Sequence, residues 1–151
     1  MIKKSLFLLF LLFSCSMHAQ ILNWNTNISE AITISNKQRK PMLLLFTDAT
    51  VNKGLLDVQI LNTLDFAIWS RDAVVLVKLD LTQDTSNEFL QRNLALKAAF
   101  GIQDLPTICF ANVRVTKSKI NYELIGKIGY KAGGVASWIS DAKQILARSS
   151  E

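Results

Sequence analysis

The sequence predicts an α/β protein: a mixed four-stranded central sheet with helices on both faces. Three observations carry this. Two runs of strand length, the uninterrupted apolar Met42 to Phe46 and the Val- and Leu-dense Ala73 to Leu81, are expected of strands buried on both faces. A helical pattern separates them, which makes them a parallel pair joined by a right-handed crossover. The last third of the chain holds a hairpin pattern and then a strongly amphipathic helix.

In chain order, Asn27 and Glu30 have the spacing of a capping box with Asn27 as N-cap. Ile28, Ala31, Ile32 and Ser35 then line one face of a short helix that ends near Asn36 to Lys40. The cations Lys37, Arg39 and Lys40 suit a solvated helix C-terminus. Pro41 closes the helix and opens the first strand. Thr47 to Gly54 is a polar elbow, after which Leu55, Leu56, Val58, Ile60, Leu61 and Leu64 recur at roughly helical spacing. A strand, a short elbow and a helix start make a natural site, because the first helical amides have no partners within the helix. Asp65 to Trp69 reads as a further helical turn, with Trp69 a lid on the core.

After the second strand, Thr82 to Asn87 is a polar connection and Glu88 to Phe100 a helix, with Gly101 its C-terminal stop. Pro106 precedes a third strand, Thr107 to Ala111, continued by Val113 to Val115. Lys117 to Lys119 turns the chain, and Ile120 to Ile125 returns antiparallel. Gly126, Gly129, Gly133 and Gly134 punctuate the next loop. Val135, Trp138, Ile139, Ala142, Ile145 and Leu146 mark one buried stripe of the final helix.

The N-terminus has the layout of a secretory signal peptide over residues 1–19. Lys3 and Lys4 precede an apolar core, Leu6 to Phe13, and the small residues Ser14, Ser16 and Ala19 follow. Cleavage after Ala19 leaves Gln20 first, and one domain over residues 20–151. A second route is open: Leu12-Phe13-Ser14-Cys15 resembles a bacterial lipoprotein box, which would lipidate Cys15 and anchor the protein to a membrane. Neither route leaves a transmembrane span in the mature chain.

Cleavage after Ala19 removes His18, the sole histidine, and leaves Cys109 as the sole thiol. An internal disulfide, a Ser-His-Asp triad and a Cys/His zinc site are then excluded. Loss of Lys3 and Lys4 lowers the net charge from +5 to +3, with the basic residues scattered, which does not point to nucleic acid. No cofactor or metal is expected. Cys109 lies inside an apolar strand and reads as a buried, inert thiol. Asp48 and Asp104 could form a carboxylate pair across a cleft, but solvated loops suffice to explain them. The glycines of Gly129 to Gly134 precede a helix without a phosphate-binding pattern and read as a turn.

Four stretches together resemble the thioredoxin-like superfamily, particularly its small exported members, over nearly the whole mature chain. They are Pro41 to Thr47, Val75 to Asp80, Phe100-Gly101-Ile102-Gln103-Asp104-Leu105-Pro106-Thr107, and Gly126 to Gly134 followed by Trp138-Ile139. The resemblance implies a cis proline at Pro106 beside the family's active site. It also implies a C-x-x-C motif at about Thr50 to Lys53, where this sequence has Thr50-Val51-Asn52-Lys53 and no thiol. Family chemistry needs a thiolate at a helix N-terminus, so the redox activity does not carry over and the protein is expected not to be an enzyme. The expected function is a binding or adaptor module of the cell envelope. Its partner would be a protein or extended peptide, held at Asp48, Thr50, Val51, Asn52, Lys53, Leu105 and Pro106. The alternatives are a thiol-disulfide oxidoreductase component or partner of the envelope, and a lipid-anchored structural protein.

Overall fold

The computed structural model describes residues 22–51, 54–117 and 119–150. The proposed leader with its Cys15, together with Asn52, Lys53 and Ser118, lies outside them. Helix α1 (Ile28–Gln38) starts where Asn27 Oδ1 accepts the Ser29 amide at 3.1 Å, while Asn27 Nδ2 reaches Glu30 at 3.4 Å. It ends at Arg39, in the left-handed region with φ 54°, whose amide returns to the Ser35 carbonyl. Strand β1 (Met42–Thr47) follows, and all six of its residues are buried.

The periodicity after the elbow departs from expectation. Asp57–Leu61 is a π-helical turn that ends at Asn62, and Thr63 caps a new helix, α2 (Leu64–Ala73), by accepting the Phe66 amide at 3.3 Å. The extra residue per turn rotates the side chains off a 3.6-residue pattern. Leu56, Ile60 and Leu61 are therefore buried, while Leu55, Val58 and Leu64 are more than half exposed. Trp69 is half-buried against Phe66 and Trp138, with ring centroids 5.7 and 5.9 Å away.

Strand β2 (Val75–Asp80) pairs parallel with β1, Met42 against Val75. Helix α3 (Leu90–Ala99) begins two residues later than its pattern suggests, and Gly101 at φ 60° takes the chain out of it. Strands β3 (Thr107–Thr116) and β4 (Lys119–Ile128) form the antiparallel hairpin, and β3 pairs antiparallel with β1. The sheet order is β2-β1-β3-β4. Gly133 and Gly134, at φ 124° and 83°, turn the chain into α4 (Gly134–Ala147).

Gly126 is not a loop residue: it lies within β4, at a register shift opposite Phe110 and Ala111. A Cβ there would stand 2.5 Å from Ile145 Cγ2, so glycine is what lets α4 approach the sheet.

The alternation of strand side chains divides the core in two. Met42, Leu44, Phe46, Val77, Leu79 and Cys109 pack under α1 and α3. Leu43, Leu45, Leu76, Ile108 and Phe110 pack under the π-helical turn, α2 and α4, with Trp138 at the centre. Trp138 is 1% exposed and donates its Nε1–H to the Gly129 carbonyl at 3.0 Å, which satisfies the one polar atom it buries. The free edge of β2 is partly covered by Asn25, whose amide donates to Leu76 and whose carbonyl accepts from Lys78.

Candidate functional site

The strand register fixes which loops share an end of the sheet. Phe46 pairs with Thr107, so the elbow after β1 and the Leu105–Pro106 segment before β3 leave the sheet side by side. The Leu105–Pro106 peptide bond is cis. Leu105 and Pro106 are half-buried, and Leu105 packs on the α1/α3 side of the core. The Thr107 hydroxyl donates to the Asp104 carbonyl at 2.6 Å and closes the turn around them.

The elbow is built from its own polar groups. Residues Ala49–Val51 form a single 3₁₀ turn. Asp48 Oδ1 accepts from the Thr50 amide at 2.8 Å and from the Thr50 hydroxyl, and the Val51 amide donates to the Asp48 carbonyl at 3.3 Å. The Ala49 amide donates 2.9 Å to Thr82 Oγ1, in the connection after β2. The amides of Ala49, Thr50 and Val51 are therefore all engaged. Thr50 is exposed, and Asp48 and Val51 are half-buried. Of the seven residues singled out in the sequence, the register brings Asp48, Thr50 and Val51 to the same end as Leu105 and Pro106. Asn52 and Lys53 lie outside the described residues.

The electrostatics argue against acid catalysis at Asp48. The Thr50 hydroxyl, and then the Thr50 amide, hold its carboxyl below the usual range. A general acid needs the opposite shift. Asp104 is exposed, and no hydrogen bond links the two carboxylates.

Cys109 is fully buried near the start of β3, opposite Leu44 on one side and Lys127 on the other. Burial pushes its thiol up to about 11, against a smaller opposing pull from the Lys127 cation. It is a core side chain, as its sequence context implied.

Sequence periodicity did not identify the apolar surface beside the elbow. Leu55 and Val58 are 55% and 61% exposed on the turns that follow Gly54. Next to them, the Tyr130 hydroxyl donates to Gln59 Oε1 at 2.8 Å, tying the loop before α4 to this segment. The only signal was the same Leu/Val recurrence that suggested a core face.

No family model matches the chain, and no curated protein does. Solved structures do match. A chain titled "DsbH Oxidoreductase" is 25% identical with a TM-score of 0.68, over 83% of this chain and 85% of that one. A thioredoxin from Thermus thermophilus is 13% identical with a TM-score of 0.62, over 83% of this chain and 87% of that one. The sheet order, the helices on both faces and these two neighbours together place the chain in the thioredoxin-like superfamily.

Proposed function

We propose that this chain is an exported thioredoxin-fold binding module with no thiol-disulfide chemistry of its own. Its partner is an extended polypeptide, held at the sheet end shared by the elbow (Asp48, Thr50, Val51, Asn52, Lys53) and the Leu105–Pro106 segment. One observation carries the reading: Cys109, the one cysteine among the described residues, is 0% exposed within β3, while the elbow offers hydroxyl and carboxylate groups instead of a thiol. A thiol that meets neither solvent nor a helix N-terminus has no route to attack a disulfide.

The surface that remains suits a peptide. Backbone groups at Leu105 can extend a partner strand by main-chain pairing. The exposed Leu55 and Val58 offer apolar contact for the partner's side chains. Export rests on the leader-like residues 1–19. No helix among the described residues is long and apolar enough to cross a membrane.

A second reading has its own support. The neighbour titled as an oxidoreductase favours a role beside a thiol-disulfide enzyme of the envelope, as its partner or as a component of it.

The test is binding of an array of extended peptides to the purified protein and to Thr50→Trp. Thr50 is exposed, so the larger side chain should leave the circular dichroism spectrum unchanged while weakening peptide binding at least tenfold, about 1.4 kcal/mol. Equal binding by the variant sinks the proposed location. Insulin reduction with a dithiol donor separates the two readings: turnover that vanishes in Cys109→Ser favours the oxidoreductase component.

A further inference from the structure

The distal half of the β3–β4 hairpin extends past the rest of the sheet. Strand β1 pairs with β3 only as far as Ala111, which lies opposite Met42, the first residue of β1. Beyond it, residues 112–116 pair with 119–123, and among the described residues no third strand joins them. A two-stranded ribbon is marginal in water without a further strand or a covered apolar face. Here the apolar face is bare. Val115 and Ile120, cross-strand neighbours, are 50% and 45% exposed, and Leu124 is 40% exposed. Strand β4 is also the free edge of the sheet, so its outward amides and carbonyls have no partner strand among the described residues.

The charges along that edge select what can pair with it. Antiparallel pairing of β4 with a second β4, about a two-fold axis at Asn121, sets Lys119 opposite Glu123 of the second copy and Glu123 opposite its Lys119. On the other face the same register sets Ile120 against Tyr122 of the second copy. Val115 lies beside Ile120 and Val113 beside Tyr122, so an apolar row runs Val115, Ile120, Tyr122, Val113 across the paired hairpins. Other registers fit less well. An axis at Glu123 opposes Lys119 to Lys127 and Glu123 to itself, and an axis at Tyr122 or Leu124 matches no charges. An axis at Ile125 matches Glu123 with Lys127, but Ile125 is the extra residue at the register shift between Phe110 and Ala111, where the edge is irregular. We infer that the chain forms a two-fold dimer by antiparallel β4–β4 pairing centred on Asn121, which joins two sheets into one.

Both charged groups are free to make the contact. Lys119 is exposed and has no ion pair among the described residues. Glu123 meets only Arg114 of the neighbouring strand, at 3.9 Å, with both side chains more than half exposed. The contact also closes on itself. The opposite edge of the sheet, β2, is partly covered by Asn25, so pairing stops at two copies. The elbow and the Leu105–Pro106 segment lie at the start of β3, the end away from the hairpin tip, and stay open in the dimer.

The experiment is sedimentation equilibrium of the purified protein. The expected result is a monomer–dimer equilibrium with a dissociation constant between about 1 µM and 1 mM, in keeping with a small interface. Glu123→Lys and Lys119→Glu each turn two opposite-charge pairs into like-charge pairs and should weaken the dimer at least about tenfold. Both positions are exposed, so the circular dichroism spectrum should not change. The double variant re-forms both pairs in reverse and should return the constant to within about threefold of the parent. Ile68→Asp, at an exposed apolar position on α2, should leave it unmoved. A monomer up to about 1 mM, a dimer indifferent to Glu123→Lys, a double variant no tighter than the single ones, or dissociation by Ile68→Asp would overturn the β4 pairing.

Discussion

Cys109 should be chemically silent while the protein is folded, and the size of the effect follows from its surroundings. Its thiol is raised from an ordinary value of 9.0 to about 11 by burial. At pH 8 a two-unit rise lowers the thiolate fraction about a hundredfold, and only the thiolate attacks. With 0% exposure, a reagent must also wait for the structure to open. A chromogenic disulfide reagent should therefore react with the native protein at least about a hundredfold more slowly than with protein in guanidinium chloride. A native rate within tenfold of the unfolded rate would refute the argument. The same shift predicts a pH dependence. Below pH 9 the thiol is protonated in both states, and the stability it contributes is fully present. Between pH 9 and about 11 the unfolded thiol ionises while the folded one keeps its proton, so that stability is lost as pH rises, by up to about 3 kcal/mol. The stability advantage of the parent over Cys109→Ala should shrink from pH 8 to pH 10.5 in urea titrations. Taking the difference cancels Tyr122, which burial also raises. An advantage equal at both pH values would count against the buried environment described for this thiol.

Two further perturbations test the packing that positions the site. Gly126→Ala sets a Cβ 2.5 Å from Ile145 Cγ2 and should cost about 1–3 kcal/mol in urea unfolding, although alanine in a strand would otherwise be the better residue. Combined with Ile145→Ala, the two losses should be less than additive by more than about 1 kcal/mol, and a neutral Gly126→Ala would show that α4 yields freely. Asn27→Ala removes the acceptor of the Ser29 amide and of Arg92 Nη2 and should lower stability by about 1 kcal/mol in urea unfolding; an unchanged midpoint would show that the cap contributes nothing.

The two faces of the sheet were legible because burial on both sides leaves an unmistakable apolar run, as in Met42 to Phe46. The last helix was legible because Trp138, Ala142 and Ile145 fall on one stripe. What escaped were features set by contacts distant in sequence or by a change of helical period. The π-helical turn at Asp57–Leu61 moved Leu55, Val58 and Leu64 out of the core pattern, and a period of 3.6 residues cannot anticipate that. Gly126 read as a loop residue because its reason is a methyl group of Ile145, nineteen positions along the chain. At the candidate site the missing thiol could be read directly, whereas the fate of the elbow amides could not. The Ala49 amide finds its acceptor at Thr82, thirty-three residues on. That bond bears on recognition. With the amides of Ala49, Thr50 and Val51 already engaged, this part of the elbow has no free backbone donors to offer an anionic group. Under the proposed function, affinity then rests on main-chain pairing at Leu105 and on apolar contact with Leu55 and Val58. Those two contributions should be insensitive to salt, because neither depends on exposed charge, so a salt dependence of peptide binding would be assigned to the side chains of Asp48 and Lys53.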